Sequence, residues 1–462
     1  MGKSKNALKN VNTSADLLSY IINVTPELRG EIDLPVQGES IQPIGKIIIN
    51  NDRYKNAFIN TVNLIGLTVL KRNGWENPWN FTKRGTLRFG QQVRELINDL
   101  ANVYDYNETL KGDVTNFLKT EVPNVYNYIH EINFQKYYKT TTDDTQLAMA
   151  FDSESSLFDF IDDTIGMLAE SLAYDTYLVD KYQLCRRILD GTVSSVEIPN
   201  FDSLTTREAV AFMKGVSNKM TFRSPNYNPA GIRRATRHED QRFILNCVYD
   251  GKITTEVLAT SFFRNDAEMQ SKLSLIDAFD DTDSERLAEV LGDAYIPFTE
   301  DEIKSLGNII GVIISDEWFM DYGYALNNEA DDRKFTEFYN PETLKNNHWL
   351  HYWGVFSTSP FENAVVFTTE TPSVTSVSVS PDAVTVDVGQ TAQLSAIVEV
   401  TGFANKAVVW SSSDENTATV DSKGLVNVSA DATPASTVTI TATSVYDSSV
   451  SGTATITVAG SV

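Results

Sequence analysis

The sequence predicts an α+β body followed by a separate all-β domain. Three observations predict it. Apolar residues recur at helical spacing from about 153 to 190, aromatic and β-branched runs follow at 309–319 and 348–367, and near residue 373 Val, Thr, Ser and Ala begin to alternate while aromatic residues nearly vanish. A chain of 462 residues exceeds the usual size of one hydrophobic core, so we expect more than one domain.

The composition disfavours several classes of function. The formal net charge is −24, and so acidic a surface repels phosphate backbones and anionic lipids, which argues against sequence-specific DNA binding and membrane adsorption. The longest aliphatic run, Ile309 to Ile314, is too short to span a bilayer. Cys185 and Cys247 suggest neither a disulfide framework nor a zinc site. The N-terminus lacks the apolar region of a signal peptide, so we expect synthesis in the cytosol.

Residues 1–70 are predicted to form an N-terminal arm that leads into the body. Within it, Ser14 is the predicted N-cap of a short helix over 14–22. The stretch from Asp52 to Leu70 is interpreted as a helix that enters a strand, because Gly66 weakens a long helix.

Residues 71–95 form a basic segment within this acidic chain. Alternation around Gly85 predicts two strands with a turn near 83–85. Two interpretations remain open: a solvated basic hairpin, or an arm that lies across the acidic surface of a neighbouring subunit, where complementary charge steers association. The side chains predicted to make such assembly contacts are Trp75, Trp79, Lys83, Arg84 and Arg88.

The longest helical pattern spans about 153–190. Acidic residues dominate its first turns, Arg186 and Arg187 lie in its last turn, and Gly191 stops it, as expected from the helix dipole and from glycine's preference for the C-terminal end. A helix of this length extends about 50 Å. Its predicted apolar stripe comprises Leu157, Ile161, Ile165, Leu168 and Leu172.

Residues 96–372 complete the predicted body. The pattern predicts a strand around 124–130, a helix from Thr205 to Lys219, and buried strands at Leu273–Phe279 and Ile309–Phe319. Residues 373–462 then show short Val/Thr strands separated by turn signals, which is typical of a β-sandwich. Trp410 is the predicted anchor of that domain's core.

The sequence offers no catalytic, cofactor-binding or metal site, so we expect no enzyme and no cofactor. His348 and His351 are three residues apart, and on a strand they point to opposite faces, where they cannot chelate one ion. The acidic run at 280–285 suggests calcium, but Arg286 stands where an EF-hand loop requires glycine.

The order of these parts resembles the major capsid proteins of tailed bacteriophages, which have the Hong Kong 97 fold, and in particular those of small short-tailed phages with protein-primed replication. The segments that carry the resemblance are Val122-Pro-Asn-Val, Ile129-His-Glu, Asp316-Glu-Trp-Phe-Met and Phe361-Glu-Asn-Ala-Val-Val-Phe. The C-terminal part resembles the bacterial immunoglobulin-like domain of group two, through Val377-Ser-Val-Ser-Pro, Val409-Trp-Ser-Ser-Ser-Asp and Gly452-Thr-Ala-Thr-Ile-Thr-Val.

The resemblance implies a structural protein that assembles through hexamers and pentamers into an icosahedral-type head shell around the genome. It implies that 71–95 is the extended E-loop, 153–190 the spine helix, and 96–372 the peripheral and axial domains. The implied partners are other copies of the chain, a separate scaffolding protein, a portal or connector, packaged double-stranded DNA without sequence-specific contact, and head fibres; no membrane is involved. The alternative is a bacterial surface or adhesion protein, since immunoglobulin-like modules also occur there.

Overall fold

The computed structural model describes residues 13–36, 40–69, 75–88, 90–98, 100–101, 125–151, 157, 160, 166–250, 272–326, 332–340, 342–343 and 345–459. The helices within these ranges are α1 Ser14–Val24, α2 Gln42–Ile49, α3 Asp52–Val69, α4 Asp144–Met149, α5 Met167–Leu189, α6 Thr206–Met220, α7 Cys247–Asp250, α8 Ser284–Leu291 and α9 Glu300–Leu306.

The strands of the body are β1 Lys83–Leu87, β2 Val93–Asn98, β3 Val125–His130, β4 Phe134–Asp143, β5 Ser194–Glu197, β6 Gln241–Asn246, β7 Leu273–Ile276, β8 Ile309–Ser315, β9 Asp321–Tyr324, β10 Arg333–Asn340, β11 Lys345–Val355 and β12 Ala364–Thr368. The strands of the C-terminal domain are β13 Ser373–Ser380, β14 Ala383–Val386, β15 Thr391–Gln393, β16 Ser395–Thr401, β17 Val408–Ser412, β18 Ala418–Val420, β19 Leu425–Val428, β20 Thr437–Ser444 and β21 Ser451–Val458.

The N-terminal helices α1 to α4 bury a core of their own. Thr13, and not Ser14, is the N-cap of α1, because its side chain accepts a hydrogen bond from the Asp16 amide while Ser14 is already helical. Residues 52–69 form one helix, so the predicted strand after it is wrong.

The apolar stripe predicted for the long helix is divided between two cores. The helix α5 begins at Met167 and runs for 23 residues. Leu157 packs in the N-terminal core, whereas Leu168 and Leu172 pack against the sheet that contains β4 and β11. Ile161 and Ile165 lie outside the described residues. The periodicity of apolar residues predicts which positions are buried, but it does not show which core they pack into. It therefore could not show that residues 157 and 168 belong to different cores.

A five-stranded sheet in the order β5-β12-β8-β6-β7 forms the centre of the body. Its strands β8 and β12 are largely apolar without alternation and are buried at every position. One face packs on α5 and the other on α6, and a strand covered on both sides is uniformly apolar. The predicted buried strand at 309–319 and the predicted helix at 205–219 are thus confirmed to within a few residues.

A second sheet is organised around β11, which pairs with β4 along one edge and with β10 along the other. Its end also meets β9, and β9 pairs in parallel with β1. Within β11, His348 is buried beside Thr142 while His351 contacts Thr336 on a different strand, so the two imidazoles do not converge.

The C-terminal domain is a β-sandwich of three small sheets around an aliphatic core. Its fully buried side chains include Leu394, Val426, Ile440 and Ile456. Trp410 is half-buried at the margin of this core and covers Gly424, so its predicted role as the central anchor is wrong. Small aliphatic side chains on alternating positions fill the narrow space between the sheets, where an indole does not fit.

Candidate assembly surfaces

The helix α5 is buried around its whole circumference in the middle of the body. Residues 177–182 are six consecutive buried positions, which no single apolar stripe produces. Its buried side chains include two carboxylic acids and a lysine, Asp175, Asp180 and Lys181, and each of them has a hydrogen-bond partner. The helix is therefore a central support of the fold and not a surface element.

Two ion pairs tie α5 to the segment after β7. Arg286 donates to both carboxylate oxygens of Asp175, at 2.8 and 3.0 Å, and the Tyr138 hydroxyl donates to the same carboxylate at 2.7 Å. Lys181 donates to Asp277 Oδ1 at 2.7 Å. Because these charges are paired and hydrogen-bonded, their burial does not leave isolated ions. Removal of one partner would leave the other charge buried alone and lower the free energy of unfolding.

Asp180 of α5 and Asp321 of β9 form a buried pair of carboxyl groups. Thr82 donates to Asp180 at 2.9 Å and the Ser357 amide to Asp321 at 3.3 Å. Asp180 Oδ1 and Asp321 Oδ2 have no donor among the described residues. Burial raises the pKa of Asp180 well above its ordinary value and that of Asp321 to about 7. A proton held between the two carboxyl groups satisfies both oxygens.

Three side chains of the basic segment are held by contacts within the subunit. Trp79 is completely buried in the central core, and its indole N–H donates to the Leu275 carbonyl at 3.0 Å. Lys83 pairs with Asp332, and Arg84 donates to the carbonyls of Asp316 and Phe319. The predicted turn at 83–85 is wrong, because these residues begin β1 and pair with β9.

The other two residues of the predicted arm are more exposed. Trp75 keeps 45% of its surface accessible and makes edge contacts with Tyr174 and Tyr177 on α5. Arg88 is exposed just after β1, where its backbone amide donates to Gln91 Oε1 at 2.8 Å. Of the five predicted contact residues, Trp75, Lys83 and Arg88 therefore have side chains with surface left for a neighbour.

The strands β2 and β3 form an antiparallel ribbon that is a separate two-stranded sheet with mostly exposed side chains. Cross-strand partners have their side chains on one face, so Leu96, Val125 and Ile129 share a face, while Glu95, Tyr128 and His130 share the opposite one. Leu96 is 61% exposed and Val125 53% exposed. The first face thus exposes three apolar side chains, each opposite an exposed polar residue, namely Arg94, Asn98 or Asn127.

The base of this ribbon is fixed to the body through its second face. The buried His130 ring bonds to Ser357 Oγ at 2.8 Å and to Glu95 Oε2 at 3.1 Å. Ser359 donates to the other oxygen of Glu95 at 2.9 Å. Because the loop after β11 supplies both serines, the ribbon leaves the body in a defined direction.

Sequence reasoning found the strand at 125–130 but missed this ribbon. The partner strand β2 lies before residues 99–124, and its sequence Val-Arg-Glu-Leu-Ile-Asn does not alternate strictly. The available signal was the cluster of exposed apolar side chains on one face, which becomes visible once the register is known.

Comparison with known proteins identifies the family. A model of the Phi29-like phage major capsid protein family matches residues 21–368. The chain belongs to this family. Residues 373–459 match the bacterial immunoglobulin-like domain of group two.

Relatives of this phage capsid family match most of the chain. The major capsid protein of Bacillus phage B103 is 26% identical over 439 residues, which cover 92% of this chain and 88% of that protein. That of Bacillus phage PZA is 26% identical over 404 residues, with 85% and 81% covered. Among solved structures, the capsid of Staphylococcus phage Andhra shares 14% identity and covers 65% of this chain and 86% of that chain, with a TM-score of 0.47.

The family membership decides the function in its main outline. The chain is a major capsid protein, a structural component of a phage head, which assembles with other copies into the shell of the virion. The predicted fold class, an α+β capsid body followed by an immunoglobulin-like sandwich, is confirmed. The alternative of a bacterial surface protein is not favoured. Among the described helices, none combines the length and hydropathy that a membrane crossing requires.

Proposed function

We propose that this major capsid protein builds hexamers and pentamers of an icosahedral-type head, and that the β2–β3 ribbon is the arm that contacts the neighbouring subunit. The exposed apolar side chains of Leu96, Val125 and Ile129, on one face of the ribbon, carry the proposal. These side chains are costly to leave in water, and their burial against a second copy recovers the hydrophobic free energy. The E-loop role moves from residues 71–95 to this ribbon.

The domain organisation of the proposal follows the same elements. Residues 1–70 form the N-terminal part, 71–95 the basic segment, 96–372 the remaining body, and 373–462 the immunoglobulin-like domain. We assign a purely structural role without enzymatic activity. The expected partners are a separate scaffolding protein, a portal, head fibres and packaged double-stranded DNA, and the expected place of synthesis is the cytoplasm of the bacterial host.

The charge of the C-terminal domain supports a position on the outer surface of the head. It carries two basic residues, Lys406 and Lys423, against the acidic residues Asp382, Asp387, Glu399, Asp414, Glu415, Asp421, Asp431 and Asp447. An acidic domain repels packaged DNA, and it remains soluble at high copy number.

The test of the ribbon is the double substitution Leu96→Asp and Ile129→Asp. Two carboxylates in place of these apolar side chains prevent burial of the ribbon against a neighbouring subunit. We therefore expect folded subunits and no shells. The matched control is Val409→Asp with Ile397→Asp, which are 61% and 56% exposed on strands of the C-terminal domain. Sedimentation and negative-stain microscopy of particles assembled in a bacterial host provide the measurement. Normal shells from the ribbon variant would refute the proposal.

A further inference from the structure

The loop between β16 and β17 connects the cores of both domains. Phe403 is 5% exposed and belongs to the apolar cluster of the central body core, together with Leu184 and Val193. Its neighbour Ala404 is completely buried in the core of the C-terminal domain. Two consecutive side chains of one loop are therefore buried in two different domains.

The backbone of this loop is unusual. Gly402 and Phe403 both have positive φ, at 57° and 61°. Glycine adopts this left-handed conformation freely, but a bulky aromatic residue does so at a cost in free energy, which its surroundings must offset. The burial of the Phe403 ring in the body core provides that compensation.

The same loop caps the C-terminal end of α5. Lys406 Nζ donates to the carbonyl of Leu189 at 2.8 Å, one of the last carbonyls that lack a partner within the helix, and its charge complements the helix dipole. Gly191 follows the helix with φ of 69°, and a Cβ there would lie 2.9 Å from both Ala404 O and Lys406 N. Only glycine permits so close an approach.

The linker between the domains lies beneath this loop. A Cβ on Gly402 would lie 2.8 Å from atoms of Thr371 and Pro372. The Tyr446 hydroxyl donates to the Pro372 carbonyl at 3.1 Å. The short connector is therefore held on both sides by the domain that it carries.

We propose that residues 402–406 form a latch that locks the immunoglobulin-like domain onto the body of its own subunit, at the C-terminal end of α5. In this arrangement the domain completes the core of the body and has one fixed orientation on it. The surface used is internal to one chain, so the domain does not depend on a neighbouring subunit for its position.

Thermal unfolding of the full chain tests the latch. In a Trp410→Phe background, all tryptophan emission arises from the body. We expect Phe403→Ala to lower the unfolding midpoint of the body by about 5 °C or more, because a large core side chain is lost. The matched control is Phe222→Ala, which removes the same atoms from a side chain that is 73% exposed and leaves the midpoint within about 1 °C.

Proteolysis provides a second readout that does not depend on the thermal midpoint. Endoproteinase Glu-C cuts after Glu370 in the linker, and mass spectrometry detects the fragment that begins at Thr371. We expect Phe403→Ala, and independently Lys406→Met, to release this fragment about tenfold faster than the unmodified chain, since cleavage follows the population of the open form.

Two outcomes would overturn the latch. In one, both variants leave the midpoint of the body and the cleavage rate unchanged. In the other, the variants leave the free subunit unchanged but weaken assembled particles, which would show that Phe403 acts between subunits.

Discussion

At the scale of single residues, charge patterning located the basic segment but not the partners of its cations. Composition shows that cations cluster at 71–95, but it does not show whether their partners lie on another subunit or on the same one. Arg84 finds carbonyl oxygens of its own chain, and Lys83 finds Asp332, which lies far away in sequence. A run of basic residues can find acidic or carbonyl partners within its own subunit as readily as on a neighbouring subunit.

Arg84→Glu and Arg88→Glu should have different effects. The first loses hydrogen bonds to two carbonyls and places a carboxylate beside them, so we expect a loss of about 3 kcal/mol in the free energy of unfolding. The second changes an exposed side chain and should stay within about 0.5 kcal/mol. Chemical denaturation of the two variants measures this. Equal stabilities would show that Arg84 is not anchored as described.

The carboxyl pair of Asp180 and Asp321 predicts a pH dependence. Burial raises both pKa values above those of the unfolded chain, so the folded state binds more protons between about pH 4 and 7. The pair's contribution to stability therefore falls as the pH rises through this range. Asp321→Asn should reduce the slope of the free energy of unfolding against pH. The reduction is at most about 1.4 kcal/mol per pH unit for each additional proton that the folded state binds.

The comparison must be made against the unmodified protein at each pH. Burial lowers the pKa of His348 to about 4. This shift makes the folded state more stable as the pH rises, which is opposite to the effect of the carboxyl pair over part of the same pH range. Asp431→Asn, at an exposed position, is the control. Parallel curves for Asp321→Asn and the unmodified chain would show that the pair does not share a proton.

At the scale of elements, periodicity and caps predicted helices well where one face is buried. The helix α6 was predicted from its sequence pattern, and in the structure Thr205 and Glu208 form a capping box at its start. The environment of α5 was not predictable in the same way, since a helix buried on all sides carries ionisable residues whose partners come from distant segments. The β2–β3 ribbon escaped prediction because strand pairing across a long connection depends on register and not on local preference.

Leu168→Asp should destabilise the subunit strongly. The side chain is buried between α5 and the β4–β11 sheet, so the substitution places an unpaired charge there and should cost about 3–5 kcal/mol. Met167→Asp is the adjacent control, because Met167 is 48% exposed in the first turn, where a carboxylate suits the helix dipole. Circular dichroism during urea unfolding measures both. A stable, assembly-competent Leu168→Asp protein would contradict the assigned packing.

At the scale of the whole molecule, the sequence located the change from body to sandwich because composition changes there abruptly. It did not reveal that the two parts share a core, since a single aromatic residue in a loop leaves no periodic pattern in the sequence. Phe403 was therefore invisible to periodicity, although it is the residue that joins the two cores.

Separation of the two parts should affect them unequally. Residues 373–459 have a core of their own, so we expect this fragment to fold cooperatively. The chain that ends at Thr371 should still form shells of normal size, but these should melt at a lower temperature, and Phe403→Ala in the full chain should reproduce most of that decrease. Calorimetry and microscopy of both particles measure this. Complete loss of shells after truncation would indicate that the domain bridges subunits.

The shared core also limits how such a gene can recombine. Immunoglobulin-like domains are often regarded as cassettes that move between unrelated proteins. Here an exchange that joins a foreign domain at residue 373 would leave the Phe403 site empty and Leu189 without its cap, whereas a foreign body would meet an exposed phenylalanine. Chimaeras that keep the thermal stability of the full chain must therefore inherit the loop and its receptor site together, so in this capsid protein the unit of exchange is larger than the domain.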